Sequence, residues 1–221
     1  MAGRRKLTDR YFQTRFSEDP RREILWRTLV QYYFQPKIPS DSCVLELGAG
    51  YGNFINNVRA RCRIAQDQWP DFAQHLVPEV ESHTGAVTDL SFLADNSVDF
   101  VFASNLFEHI SQKDFALVLA QLRRKLKAQG TLTLVQPNYR YAFREYFDDY
   151  THITPYSHLS ICDFLHANSY DVIHCVPRFL PLTLKSRLKV SPLLIRLYLL
   201  SPVKPLGKQM LVQARPNQEA D

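Results

Sequence analysis

The stretch CVLELGAGYGNFINNV, residues 43–58, decides the fold of this chain. A short apolar run that includes the acid Glu46 is followed by glycines at alternating positions, Gly48, Gly50 and Gly52. Such a run is typical of a strand buried on both faces of a parallel sheet. The glycines predict a tight turn into a helix, with backbone N–H groups open to a polar or anionic ligand.

The length and composition of the chain favour one globular domain. Its 221 residues suit an ordinary α/β domain, and 45% apolar and 22% charged residues are close to the soluble average. The basic start is not followed by an apolar segment, so we expect no secretory signal and a cytoplasmic protein. The cysteines form no C-x-x-C pair and are expected to be reduced and structural: Cys43, Cys62, Cys162 and Cys175.

Seven segments have the pattern of strands, and helical patterns lie between them. The clearest helical pattern covers residues 111–130. Strands that alternate with helices predict a parallel sheet with helices on both faces. The strands are predicted at 43–47, 62–66, 83–87, 98–104, 130–136, 170–176 and 209–214.

Two further helices have recognisable ends. One is expected to start after Ser17 or Asp19, with Pro20 at its first position. The other is expected to have Thr154 as its N-cap and Asn168 in the left-handed position after its end.

The charge is concentrated near the end of the chain. From Val172 to Gln218 there are eight Lys and Arg residues and no Asp or Glu, and the whole chain carries +5, so the rest carries −3. We expect a single domain over 1–221, with an N-terminal helical extension 1–40 and a basic, apolar insertion 177–208 before the last strand. A long connection of this kind is usually functional.

Acidic residues follow the first three strands in chain order. Glu46 would repel a pyrophosphate and attract an ammonium group, and the glycine spacing is tighter than the dinucleotide pattern G-x-G-x-x-G. Asp67 can accept hydrogen bonds from two ribose hydroxyls. Asp89 can accept from an exocyclic amine, with the Leu90 N–H and side chain facing a purine ring. Each residue has an alternative role: Glu46 as a turn acid, and Asp67 and Asp89 as caps.

Four further motifs make the sequence resemble the class I S-adenosylmethionine-dependent methyltransferases. Asp67 also belongs to the resemblance, which covers roughly residues 20–177 and the reversed strand near 209–214. Two turns depart from the family pattern, since Gln129-Gly130 replaces the usual Pro-Gly-Gly and Asn168 replaces a common glycine. The motifs are LELGAGYG (45–52), TDL (88–90), VDFVFASNLFEHI (98–110) and LRRKLKAQGTLTLVQPN (122–138).

The resemblance implies the fold, the cofactor and the residues around it. The fold is a Rossmann-like, seven-stranded, mostly parallel sheet whose last strand is antiparallel, and the cofactor is S-adenosylmethionine. Ser104 and Asn105 are expected beside the methionyl part of the cofactor. The full expected cofactor site is Glu46, Gly48, Ala49, Gly50, Gly52, Asp67, Gln68, Asp89, Leu90, Ser104 and Asn105.

A hydroxyl acceptor would need help in losing its proton, and histidines follow the strands where the substrate should lie. We expect His152 to act as the base, with Asp148 or Asp149 orienting it, and His109 as a second candidate. The alternatives are a loop role for His152 and a structural role for His109. Because His152 and His158 are six residues apart on a proline-containing segment, no metal site is expected.

The insertion 177–208 has two interpretations, a membrane-surface segment or a cap over the active site. Its longest apolar run is too short to span a bilayer. Similar sequences often accompany genes for cell-surface polysaccharides or lipid-linked glycans, which favours O-methylation of a small molecule, sugar or lipid-linked glycan. Nucleic acid is disfavoured because the block lacks a stacking platform.

Two other functions stay open. A catalytically inactive cofactor-binding interaction module would keep every cofactor motif. A nicotinamide-dependent oxidoreductase is disfavoured by Glu46 and by the spacing of Gly50 and Gly52.

Overall fold

The computed structural model describes residues 18–181 and 190–217. Seven strands form one sheet in the order β3-β2-β1-β4-β5-β7-β6, and β7 runs antiparallel to both of its neighbours. The remaining neighbouring pairs are parallel. The predicted mostly parallel sheet with an antiparallel last strand is confirmed. The strands are β1 (Cys43–Leu47), β2 (Cys62–Asp67), β3 (Glu81–Thr84), β4 (Val98–Ser104), β5 (Leu126–Pro137), β6 (Tyr170–Pro181) and β7 (Gly207–Pro216).

Five α-helices lie in the described ranges. Asp19 caps the first of them by accepting a hydrogen bond from the Arg21 N–H, with Pro20 at the first position as predicted. This helix continues into a π-helical turn over Val30–Phe34. Of the predicted extension 1–40 and insertion 177–208, residues 1–17 and 182–189 lie outside the described residues. The helices are α1 (Pro20–Leu29), α2 (Gln112–Lys125), α3 (Tyr139–Ala142), α4 (His158–Ala167) and α5 (Pro192–Leu200).

The central strands bury both of their faces, which explains their continuous apolar sequence. Leu45 of β1 packs in the cluster formed with α2 and α4. Val44 packs in the cluster on the other face, which includes Leu29 of α1 and Ile195 of α5. The predicted helices on both faces of the sheet are therefore confirmed.

The helix predicted after the glycine loop is wrong. Residues 51–54 form turns and only Ile55–Asn57 form a 3-10 turn. Asn side chains compete with helical hydrogen bonds by bonding nearby backbone. Here the Asn57 amide donates to the Asn53 carbonyl, and the Asn56 amide donates to the carbonyl of His75. Among the described residues, no α-helix begins directly after the glycine loop, so the helix dipole expected at that point is absent.

Three other predictions differ from the structure: the start of α4, the residue after its end, and the position of β3. Helix α4 is capped by Ser157, whose side chain accepts from the Ser160 N–H in a capping box, and not by Thr154. Thr154 is buried and its hydroxyl donates to the Ile110 carbonyl. The left-handed residue after α4 is Ser169, with φ of 63°, and not Asn168. Strand β3 is shorter and earlier than predicted.

Candidate functional site

The glycine loop leaves β1 in a conformation that few side chains tolerate. Gly48, Gly50 and Gly52 have φ of 66°, 51° and 65°, in the left-handed region that favours glycine. The N–H groups of Gly48 and Ala49 both donate to the Gln66 carbonyl of β2. The loop is therefore fixed against the neighbouring strand.

The space that side chains would need at two of these glycines is filled by the protein. A Cβ at Gly48 would lie 3.0 Å from Leu106 Cδ1, and one at Gly52 would lie 2.6 Å from Leu76 Cδ2. The sequence predicted close approach of a ligand to this backbone. At Gly48 and Gly52 the structure shows a different cause, the positive φ and the packing of leucine side chains.

Glu46 is buried in β1 and holds the turn that follows the loop. Its Oε2 accepts a hydrogen bond of 3.0 Å from the Ile55 N–H. Burial raises the pKa of Glu46 well above its usual range, and the nearby Asp67 adds to the effect. This contact is the one expected of an acid that holds a turn. An ammonium group that binds Glu46 would have to share its carboxylate with the Ile55 N–H.

Asp67 faces the glycine loop from the end of β2. Its Oδ2 accepts from the Gly50 N–H at 2.8 Å, and its Oδ1 accepts from the Trp69 N–H at 2.8 Å. Burial raises the pKa of Asp67, against the effect of these backbone donors. Two carboxylate oxygens offer about four acceptor positions, so lone pairs remain for hydroxyl donors. The next residue, Gln68, is exposed.

The predicted adenine contacts differ in their exposure. Asp89 is exposed, and its Oδ1 accepts from the Ser91 N–H at 3.1 Å. Hydrogen bonding by the Ser91 side chain first, and then by the Ser91 N–H, lowers the pKa of Asp89. Leu90 is fully buried in the core, and its N–H donates to Gln121 Oε1 at 3.1 Å. Leu90 could contact a purine through its N–H only if Gln121 released this bond, and its side chain is not available for the contact.

The end of β4 is linked to the last strand. Asn105 has φ of 51°, and its amide donates to Ser104 Oγ at 3.1 Å. Gln209 of β7 donates to Asn105 Oδ1 at 3.1 Å. Gln209 could not be selected from the sequence, because its position near Asn105 depends on the register at which β7 pairs with β5.

His109 and His152 come together although 42 residues separate them along the chain. Their ring centroids are 4.8 Å apart. The N–H groups of Ile153 and Thr154 both donate to the Glu108 carbonyl, at 2.9 and 3.1 Å. These backbone bonds hold the loop that contains His152 against the turn after β4.

Each histidine is oriented by a hydrogen bond at Nδ1. His152 Nδ1 lies 2.6 Å from the Tyr146 carbonyl oxygen. His109 Nδ1 lies 2.9 Å from Thr151 Oγ1, whose hydroxyl donates to Asp149 Oδ1 at 2.6 Å. The Tyr146 carbonyl thus takes the orienting position that was predicted for Asp149, and Asp149 supports His109 through Thr151. Burial first, then His152, lowers the pKa of His109 to about 4.

Glu108 lies beside the two histidines and was not selected from the sequence. It is fully buried, and neither of its carboxyl oxygens has a hydrogen-bond partner among the described residues. Burial raises the pKa of Glu108 to about 8. For Asp149, burial acts in the same raising direction but is outweighed by the Thr151 hydrogen bonds and the histidines, so its pKa is lowered.

The other predicted members of this region lie elsewhere. His158 is at the start of α4, where its Nδ1 lies 3.0 Å from the Asn138 amide nitrogen. Asp148 is exposed at the end of a 3-10 turn.

The described part of the insertion presents an apolar surface, which we call the α5 surface. Its side chains are 51–74% exposed, although Ile195 on the opposite side of α5 is buried. Helix α5 packs against α1. A search of the described residues finds no helix with the length and apolar character that a membrane crossing needs. The α5 surface consists of Leu193, Leu194, Leu197, Leu200, Val203 and Leu206.

The comparisons with known proteins agree with this architecture. A family model described as a methyltransferase domain matches residues 19–175. No curated protein matches the chain.

Solved structures share the fold at low sequence identity. A SAM-dependent methyltransferase from Archaeoglobus fulgidus is 20% identical with a TM-score of 0.64, over 87% of this chain and 93% of that one. A SAM-dependent methyltransferase from Thermotoga maritima, described as a possible histamine N-methyltransferase, is 16% identical with a TM-score of 0.64, over 95% and 94%. Geranyl diphosphate methyltransferase in complex with SAM is 16% identical with a TM-score of 0.61, over 85% and 84%.

We expect Gly52→Ala to destabilise the protein by at least about 1–2 kcal/mol, because alanine is strained at positive φ and its Cβ would overlap Leu76. Gly85 is a matched control, since a Cβ there meets nothing within 4 Å. Gly85→Ala should change the unfolding free energy by no more than about 0.5–1 kcal/mol. Urea denaturation of both variants measures the difference, and equal stabilities would contradict the role of Gly52.

Proposed function

Because the chain belongs to the methyltransferase-domain family, we propose that it transfers a methyl group from S-adenosylmethionine to an oxygen of a small molecule, sugar or lipid-linked glycan. One observation carries this proposal. The glycine loop with Asp67, and the pair His109 and His152, follow strands whose carboxyl ends lie along one edge of the sheet. Ligands of open α/β sheets bind at this edge.

The residues at the end of β2 and β3 fit the nucleoside part of the cofactor. Asp67 is fixed by two backbone N–H groups and keeps acceptor positions for ribose hydroxyls. Gln68, the next residue in the chain, is exposed. Asp89 is also exposed, and its carboxylate can accept from an exocyclic amine. The bound cofactor supplies an activated methyl group on a sulfonium.

At the end of β4, Ser104 and Asn105 are proposed to contact the methionyl part. The Gln209 amide holds the Asn105 side chain in place. Aligning the acceptor with the methyl group in this way can contribute roughly 7–11 kcal/mol to lowering the barrier.

His152 is the group that we propose acts on the acceptor oxygen. Since its Nδ1 faces the Tyr146 carbonyl, the ring must donate there and carry its lone pair on Nε2. The lone pair at Nε2 can remove the proton of the acceptor hydroxyl, or it can bind a cation that holds this hydroxyl. In both cases the hydroxyl oxygen becomes a better nucleophile. Asp149 orients His109 through Thr151, and His109 is proposed to position His152 through the contact between the two rings.

Exposed apolar side chains on the same loop favour an acceptor with an apolar part. Phe143, Phe147, Tyr150 and Ile153 are 55–58% exposed, and they lie within the segment that contains His152. Exposed apolar patches of this kind commonly mark ligand or membrane contacts. A sugar ring or a lipid-linked glycan has faces that can pack on them.

Asp67→Asn should weaken binding of S-adenosylhomocysteine about ten- to a hundredfold, because hydrogen bonds to a charged acceptor contribute about 1.5–3 kcal/mol. Asp41→Asn is the control, since Asp41 is exposed before the opposite, amino end of β1. Isothermal titration calorimetry measures both affinities. Unchanged binding by the Asp67 variant would remove it from the ribose site.

His152→Ala should keep S-adenosylhomocysteine binding and lower methyl transfer about 10²- to 10⁴-fold. His166→Ala is the control, because His166 is exposed on α4. The assay is transfer from radiolabelled S-adenosylmethionine to a lipid and polysaccharide extract. Full activity in the His152 variant would exclude it from this role. Cofactor binding without transfer by the unchanged protein would instead favour the inactive interaction module.

We propose that the α5 surface rests on an anionic membrane, which makes the protein peripheral to the inner membrane face. Leu193, Leu197 and Leu200 follow one side of α5 and are 55–72% exposed. A cap over the acceptor site would be expected to bury them, whereas membrane contact needs them exposed. The basic stretch from Val172 to Gln218 supplies charge that suits anionic headgroups.

The double change Leu193→Asp with Leu197→Asp should abolish sedimentation with vesicles of phosphatidylcholine and phosphatidylserine, because two charges would enter the apolar surface. Leu117→Asp, at a 49% exposed position on α2, is the control and should sediment like the unchanged protein. High salt should release the bound protein. Equal sedimentation of all three proteins would contradict the proposed contact.

A further inference from the structure

The carboxyl group of Glu108 is the one buried acid of this edge whose two oxygens both lack a hydrogen-bond partner within residues 18–181 and 190–217. Burying a polar group without a partner is unfavourable. An unpartnered carboxyl beside histidine nitrogens that can bind a metal therefore indicates a ligand-binding site. These nitrogens belong to the imidazole rings of His109 and His152. One ligand atom from each of the three residues lies within 4.8 Å of the others.

We propose that Glu108, His109 and His152 form a binding site for one divalent transition-metal ion. The bond lengths of such ions to nitrogen and oxygen are about 2.0–2.2 Å, so neighbouring ligand atoms in a filled site lie about 3–4.4 Å apart. His109 Nε2 and Glu108 Oε1 are already separated by 4.0 Å. Small rotations of the side chains complete the site.

The hydrogen bonds at Nδ1 orient both histidines as ligands. The Thr151 hydroxyl has one proton, which it donates to Asp149 Oδ1, so its oxygen accepts from His109 Nδ1–H. His152 donates from Nδ1 to the Tyr146 carbonyl. Both rings therefore carry their lone pair on Nε2. Histidines that bind metals almost always donate their other ring N–H to a carboxylate, backbone carbonyl or water, and here a carbonyl and a hydroxyl oxygen take that place.

The donor set selects the class of metal. Two imidazole nitrogens and one carboxylate suit Zn²⁺, Co²⁺ or Mn²⁺, whereas Mg²⁺ and Ca²⁺ favour sites made of oxygen. Three protein ligands leave at least one position open for another molecule. The backbone bonds from Ile153 and Thr154 to the Glu108 carbonyl keep the two halves of the site together.

The open coordination position of the ion can bind the acceptor hydroxyl, a role that rests on the proposed function. A hydroxyl bound to a divalent cation loses its proton to water more readily. The resulting oxygen can then attack the methyl carbon, while the carbon–sulfur bond breaks and its electron pair stays on sulfur. His152 would in that case serve the reaction as a ligand of the ion.

The test is a titration of the full chain with Co²⁺ after bound metal has been removed with a chelator. Binding is measured from the visible absorption bands of Co²⁺. The unchanged protein should bind one equivalent, and Glu108→Gln should bind at least tenfold more weakly. Glu81→Gln is the matched control, because Glu81 and His83 form a similar but exposed pair at 2.6 Å. It should bind Co²⁺ like the unchanged protein.

Two results would overturn the site: no saturable binding by the unchanged protein, or equal binding by the Glu108 variant. Thermal unfolding of each protein without metal checks that the variants are folded. His152→Ala supplies a second variant and should also bind at least tenfold more weakly.

Calorimetry with S-adenosylhomocysteine on the same samples separates this inference from the proposed function. Cofactor binding without Co²⁺ binding would reject the metal site alone, and Co²⁺ binding without cofactor binding would reject the proposed function alone. If both hold, a chelator should abolish methyl transfer and added metal should restore it.

Discussion

The hydrogen bond between the Gly50 N–H and the Asp67 carboxylate ties the ends of β1 and β2 together. It supplies an acceptor to a loop that has no helix behind it, and it supplies a donor to an acid that is 7% exposed. A buried carboxylate without donors is unfavourable, and so is a loop N–H without an acceptor. The bond therefore stabilises both Asp67 and the glycine loop. The geometry of the cofactor edge depends on this pair.

The three buried acids of this edge are treated differently by the fold. Glu46 and Asp67 accept backbone N–H groups, which offsets part of the unfavourable burial of a carboxylate. Neither carboxyl oxygen of Glu108 has a hydrogen-bond partner among the described residues. Glu46 and Asp67 thus each hold a turn in place, whereas no backbone N–H of the described residues offsets the burial of Glu108.

Much of the fold followed from local sequence, and much of the site did not. The apolar runs at β1 and β4 were recognised because strands buried on both faces have a continuous apolar sequence. The helix after Gly52 was wrong because Asn56 and Asn57 use their side chains on backbone outside a helix. Glu108 was missed since an acid in a turn is usually solvated, and its burial comes from a loop more than 40 residues later in the chain. Leu90 was predicted to face a purine ring because its burial and its bond to Gln121 depend on the packing of α2, which the local sequence does not show.

The bond between Gln209 and Asn105 crosses from the antiparallel strand to the end of β4. The chain enters β7 directly after the α5 surface, so the segment that would meet a membrane ends at Leu206, three residues before Gln209. A displacement of that segment would be passed to Asn105 through the Gln209 side-chain amide, as well as to β5 through the paired strand. Catalytic rate on a bilayer and catalytic rate in free solution need not then be the same quantity.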